Sequence, residues 1–223
     1  MLTEDTGTQG SGNAELELGY SWANGDGSRT FLFQPQLSYG LTPTIDIIVQ
    51  PSWLSEHDAA QPVDHGFGDT AVDAKWRFYG ADPLSLGIRA GILLPTSESD
   101  LGIAHGTLAE HALLVATLDV APVTVDANLG MSRYPATAGM RQRLYHASAA
   151  AQWAWSERVS LVADFDVDSN PVAARSGWPA VGLVGAIYTL RPGFDIDAGY
   201  RAALNSAAIA RQWLLGLTYR WAP

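Results

Sequence analysis

Cysteine is absent from the 223-residue chain, so disulfides contribute nothing and no redox compartment is singled out. Charge is scarce as well. Asp, Glu, Lys and Arg make up 16% of the chain against 47% hydrophobic residues, below the usual quarter for soluble domains. Even so, no apolar run approaches the roughly eighteen residues that a membrane-crossing helix needs. A helical membrane protein is thereby excluded, whereas a β-barrel is not, because alternation dilutes its apolar residues. Basic residues are outnumbered 13 to 23 by acidic ones, with a net charge of −10 and a pI near 4.7. That balance excludes a nucleic-acid partner, whose phosphates need Lys and Arg. A basic, apolar leader is also missing after Met1. A membrane barrel has to be exported, so a signal peptide is expected to have been removed.

What the chain does contain is alternation. From Phe194 to Leu204, Phe194, Ile196, Ala198, Tyr200, Ala202 and Leu204 share one face of an extended chain. Asp195, Asp197, Gly199, Arg201 and Ala203 share the other, since successive side chains of a strand point to opposite sides. Two carboxylates and a guanidinium suit a wet lumen with the apolar face turned to lipid. The same pattern recurs from Ala14 to Trp221, and it predicts an all-β chain: a transmembrane antiparallel up-and-down barrel of about twelve strands. Residues 1–13 read as an irregular N-terminal arm, flexible or folded into the lumen as a plug, and 14–223 as one barrel domain. Tight turns such as Thr42-Pro43 and Ala81-Asp82-Pro83 largely alternate with longer loops, Ser55–Gly66 and Thr96–Thr107 among them. Short periplasmic turns and longer outer loops are the pattern of an outer-membrane barrel, with both termini periplasmic. Two features run against it. Pro35 and Pro51 fall inside proposed strands, where a barrel has no free edge, and the Leu108–Asp119 strand alternates too poorly for its faces to be assigned.

The alternation assigns side chains to a lumen and to a membrane-water girdle. Glu15, Glu17, Asp46, Asp73, Asp126, Asp164, Asp166, Asp195 and Asp197 are expected in the lumen, with Lys75, Arg77, Arg89, Arg201 and Arg220. The excess of acids predicts a negative interior that favours cations, unless the charges pair across the barrel and fill it. Trp22, Trp53, Trp155, Tyr219 and Trp221 stand at proposed strand ends, where an aromatic girdle lies.

Several stretches resemble the MetA-pathway phenol-degradation family of Gram-negative outer-membrane proteins, often labelled transporters. They are Thr3-Glu4-Asp5-Thr6-Gly7-Thr8-Gln9-Gly10 with Gly12-Asn13, Tyr39-Gly40-Leu41-Thr42, and Gly66-Phe67-Gly68-Asp69 running into Lys75-Trp76-Arg77-Phe78. Leu94-Pro95-Thr96 and Gly199-Tyr200-Arg201 belong with them, while Ser97 departs from the glycine expected after Pro-Thr. The resemblance implies an outer-membrane barrel linked to uptake of small, often aromatic compounds.

Other motifs carry weaker chemistry. His146-x-Ser148 has the spacing of a histidine-activated nucleophile, but its face is the lumen one, so it reads as polar lining and no catalytic residue is assigned. Asp164-x-Asp166-x-Asp168-x-Asn170 opens like a calcium loop but has Ser169 where the glycine is required. His57, His65, His105 and His111 read as solvated loop histidines without metal-ligand spacing. No metal, cofactor or enzymatic activity is therefore expected. The expected function is a porin-like channel for passive uptake of small solutes, aromatic compounds or cations, in contact with outer-membrane lipid. A non-conducting structural or docking barrel, with an envelope protein partner, stays open as the alternative, and a soluble ligand-binding barrel as a third. The oligomeric state is not fixed.

Overall fold

In lipid no water is present to satisfy main-chain N–H and C=O groups, so a sheet can cross only if it closes on itself. This constraint is met in full in the computed structural model, which describes residues 3–25, 28–58, 64–97, 108–208 and 211–221. The strands are β1 (Ala14–Gly25), β2 (Ser28–Thr42), β3 (Ile45–Gln50), β4 (Trp53–Asp58), β5 (Asp64–Phe67), β6 (Thr70–Ala81) and β7 (Leu84–Leu94). They continue with β8 (Ala109–Val120), β9 (Val123–Arg133), β10 (Arg143–Ala154), β11 (Val159–Asp168), β12 (Ala180–Arg191), β13 (Phe194–Ala203) and β14 (Arg211–Trp221). Each pairs antiparallel with its neighbours. β1 closes the ring by pairing with β14, from Ala14 opposite Trp221 to Asn24 opposite Arg211, and with β2 on its other side.

Fourteen segments make twelve passes, because β3 with β4 and β5 with β6 are two strands, each interrupted once. The prolines explain the first interruption. Leu37 faces Val49 and Phe33 faces Trp53, a register that brings Pro35 opposite Pro51. Neither has an N–H to donate, so the ladder lapses where the two face each other. The second interruption, at Gly68-Asp69, is tied to the first. Gly68 donates its N–H to the Ser52 carbonyl at 2.9 Å, and the Ser52 hydroxyl donates to the Asp69 carbonyl at 3.1 Å. β4 and β5 therefore extend the wall to Asp58 and from Asp64, where sequence reading placed a loop. Trp53 is the first residue of β4, against Phe31, part-way along the pass that β3 and β4 make together.

Polarity is inverted relative to a soluble domain. Leu114, Leu129, Val184 and Trp213 are more than half exposed on the outside, whereas Asp46, Asp73 and Asp126 are almost wholly buried inside. Trp22, Trp155, Tyr219 and Trp221 are exposed with that outer belt. The faces of β8 are set by register. Arg89 points inward and pairs with Leu113, so Ala109, His111, Leu113, Val115 and Thr117 share the lumen and Leu114 faces out. Alternation failed there because both faces are apolar. An apolar belt around a closed twelve-pass barrel puts the chain in a bilayer as an outer-membrane protein. Leu129→Arg is expected to destabilise the barrel by about 2–4 kcal/mol, the cost of a cation on the lipid face near mid-bilayer. Urea unfolding in lipid vesicles measures it.

Candidate functional site

The arm preceding β1 lies inside the barrel. Gly10 and Gly12 take φ of 78° and 80° and bend it inward, a left-handed conformation that glycine adopts without steric cost. The chain here crosses directly over Gly40, where any Cβ would collide with the Gly10 main chain. Gly12 and Gly40 are joined by an N–H donated from Gly12 to the Gly40 carbonyl at 2.8 Å. Further in, the Gln9 N–H donates to Asp46 and the Thr8 hydroxyl to the Pro43 carbonyl. The Thr6 N–H reaches the Thr117 hydroxyl at 3.0 Å, and Thr3 donates both its N–H and its hydroxyl to Asp164 at 3.0 Å. The arm thus spans the lumen from β2 and β3 to β11.

Glu4 is its anchor. One carboxylate oxygen lies 2.7 Å from Lys75 Nζ and the other 2.6 Å from Arg89 Nη1. Arg89 Nε is also 2.7 Å from Asp73, whose second oxygen is 2.8 Å from His111 Nε2. The Glu4 main chain is clasped by one amide: Asn128 Oδ1 accepts its N–H, and Asn128 Nδ2 donates to its carbonyl, each at 2.8 Å. Burial alone would raise the Glu4 pKa, but Lys75 and Arg89 outweigh burial and hold it below the ordinary value.

Of the charged residues expected in the lumen, Glu15, Asp46, Asp73, Lys75, Asp126, Asp164 and Asp166 are buried, and most of the set meet partners. Arg201 donates to Asp166 at 2.6 Å, and Arg220 bridges Glu15 and Asp195 at 2.5 Å each. That last cluster ties β1, β14 and β13 together at the closing seam. Arg77 donates to the Pro43 carbonyl at the turn end, Gln36 donates to Glu17 at 2.8 Å, and Asp126 accepts from the Thr117 hydroxyl. The interior is therefore extensively paired, with the arm supplying Glu4 and several main-chain N–H groups. Sequence reading missed Glu4, His111, Thr117 and Asn128. Asn128 alternates with Asp126 and could have been found, whereas Glu4 precedes any periodic segment.

The sequence motifs resolve into the same network. His57 and His65 are in strands β4 and β5, His105 lies outside the described residues, and His111 is inside the lumen on Asp73 rather than in a loop. His146 Nδ1 is 2.8 Å from Asp168, and its Nε2 is 3.1 Å from the Ser148 hydroxyl. Ser148 in turn lies 3.3 Å from Asn128 Oδ1, the group that holds the arm. Asp164, Asp166 and Asp168 are taken by Thr3, Arg201 and His146 separately, and no cluster able to hold a metal occurs among the described residues.

Beside the arm a cavity of about 290 Å³ remains between β1, β2 and β12–β14, with Gln34, Gln50, Arg201 and Gln212 among its lining residues. Because the folded-state pKa of Glu4 is depressed, its anchoring is fully present above its ordinary value of 4.5 and is lost as pH falls through the lowered one. Current through the barrel is expected to rise as pH is taken below 4.5, and Glu4→Gln is expected to show the high current already at neutral pH. Conductance against pH for both proteins checks this.

Comparison with known proteins agrees with this architecture. Residues 48–221 match the family described as "Putative MetA-pathway of phenol degradation". The COG4313 outer membrane channel from Pseudomonas putida F1 superposes with a TM-score of 0.76 at 13% identity, over 98% of this chain and all of that one. A NanC porin gives 0.61 at 11% identity, covering 92% of this chain and 100% of its own. A KdgM porin, in complex with disordered oligogalacturonate, gives 0.64 at 9% identity over 92% and 99%. Curated proteins give no match. With the family matched over most of its length, the chain belongs to the phenol-degradation MetA-pathway family of β-barrels.

Proposed function

We propose that this protein is a passive outer-membrane channel for small solutes, aromatic compounds foremost, in which residues 3–13 act as a plug. The observation that carries the reading is a cavity inside a barrel whose N-terminal arm lies in the lumen. The arm is held to one side by side-chain ion pairs and hydrogen bonds, and the cavity of about 290 Å³ is left beside it. A barrel of eight strands is filled by its own side chains, whereas larger ones leave an aqueous path. Here the space that twelve passes create is divided between arm and cavity.

The cavity's size and lining favour a small molecule over a sugar chain. The KdgM porin holds an acidic oligosaccharide, but this lumen carries more carboxylates than cations and would repel it. Glycines and aliphatic side chains such as Leu183 and Leu214 share the lining with glutamines, which suits a neutral, partly apolar solute. The family's link to phenol degradation points the same way. The Ser148–His146–Asp168 chain serves the plug rather than an enzymatic reaction, since the Ser148 hydroxyl is engaged with the amide that clasps Glu4.

The test is conductance of the refolded protein in a planar bilayer under a salt gradient. Small steps with cation preference are expected. Deletion of residues 3–12 is expected to enlarge them severalfold, and Asp195→Asn with Asp197→Asn to reduce the preference. Silence from both the folded full chain and the folded deletion variant would sink the channel and favour the structural barrel. Anion preference would overturn the acidic lumen.

A further inference from the structure

At one end of the wall two arginines stand side by side on the lipid face. Arg133 of β9 alternates outward with Leu129 and Met131, Arg143 of β10 with Tyr145 and Ala147, and the register sets Arg133 opposite Arg143. Like charges directly opposite in an antiparallel pair repel. The only acid beside them among the described residues is Glu110 of β8, opposite Arg133. Its carboxylate lies 3.7 Å from Arg133 Nη1, and both side chains are more than 60% exposed, so this ion pair offsets little of the repulsion. Arg143 has no ion-pair partner among the described residues. A phosphate between the two guanidinium groups would turn repulsion into two charge-assisted, fork-shaped contacts.

This end is the outer one. The tight turns Thr42-Pro43, Ala81-Asp82-Pro83 and Ala121-Pro122 lie at the opposite end, where β1 begins and β14 finishes, and the longer connections lie here. Around the same rim Arg29 and Arg211 flank Asn24 from either side on the outward face. Outward-facing strand ends therefore present four arginines and one glutamate, although the chain as a whole carries a net charge of −10. Positive charge has been concentrated where the wall meets the headgroups of the outer leaflet.

Below Arg133 and Arg143 the outer surface is hollowed. An upper hollow is walled by Met131, Tyr145 and Trp178, and a lower one by Phe78, Leu86 and Phe165. In the lower one Ala116, Ala127 and Ala149 stand in register between Leu86 and Phe165, so three small residues lie between two large ones. Leu114 and Leu129 line both hollows and form a ridge between them. Ala147 also lines both, and there the ridge is low enough for a chain to pass. In a bilayer such apolar hollows are covered by acyl chains, and two hollows beneath one anion site fit a lipid with several chains.

We propose that Arg133, Arg143 and the two hollows bind one phosphate-bearing, multiply acylated glycolipid of the outer leaflet, of the lipid A type. Its phosphate bridges the two guanidinium groups, and its acyl chains run down past Tyr145 and Ala147. The site is on the lipid face and is independent of what passes through the lumen.

Native mass spectrometry of the delipidated, folded barrel in detergent tests this, with lipid A, lipid A stripped of its phosphates, and phosphatidylglycerol as probes. One lipid A molecule is expected to bind about thirtyfold tighter than the stripped form, two arginines being worth about 1 kcal/mol each at an anionic lipid surface. Arg133→Gln with Arg143→Gln is expected to bring lipid A down to the level of the stripped form. Glu110→Gln removes the competing carboxylate and is expected to tighten lipid A severalfold; it decides the matter if the double variant does not fold. Ala147→Phe closes the pass between the hollows and is expected to weaken both forms of lipid A alike. Equal affinity for lipid A and its stripped form, phosphatidylglycerol bound as tightly as lipid A, or lipid A affinity unchanged in the arginine and Glu110 variants overturns the site. Because the chain has no cysteine, Ala147→Cys carries a single thiol. Disulfide-linked dimers of that variant in lipid would give the face to a second copy of the chain and overturn the proposal, whereas a monomer supports it.

Discussion

The pairing of β1 with β14 is the interaction on which everything else depends. A bilayer offers main-chain groups no substitute partner, so an open edge of this sheet would leave a row of unsatisfied N–H and C=O groups in hydrocarbon. Closure removes that cost and creates an inside and an outside in a chain whose side chains alternate. The seam is reinforced where it would fray, because Arg220 of β14 reaches both Glu15 of β1 and Asp195 of β13. The same demand for pairing explains how two prolines survive in the wall. Placed opposite each other, Pro35 and Pro51 share one lapse in the ladder, and Ser52, Gly68 and Asp69 tie the adjacent break to it.

Closure also turns charge into a structural element. Carboxylates that would be solvated on a soluble surface are enclosed, and each needs a donor. Part of that demand is met by wall residues and part by the arm, which brings Glu4 to two cations and main-chain N–H groups to Asp46 and Asp164. The arm therefore stays inside for the reason that buried polar groups are paired in any protein. Beyond Gly12, which is held main chain to main chain at Gly40, its contacts with the wall run through side chains rather than a strand ladder. On the side of β1 and β12–β14, glycines take several inward positions, and the described residues leave a cavity there.

Particular residues show where reading the sequence succeeds. Asp195, Asp197 and Arg201 alternate with Phe194, Ile196 and Tyr200, and that contrast of polarity assigns the faces unaided. β8 defeats the same logic, because Leu113 and Leu114 are equally apolar and only the register against Arg89 tells lumen from lipid. Trp53 looks like the end of a strand because Ser55–Gly66 reads as a loop, yet the wall runs on to Asp58. His111, beside a loop in the sequence, is inside on Asp73.

The sequence by itself determined an all-β transmembrane barrel of about twelve passes and its family, because period-two alternation and turn chemistry are local properties of the chain. The partners of those charges were decided only by the tertiary structure. Glu4 meets Arg89 across 85 positions and Thr3 meets Asp164 across 161, and no local pattern encodes distances of that kind. Where the arm lies and which wall residues it meets follow from closing the ring, since closure brings distant strands to face one another across a shared interior.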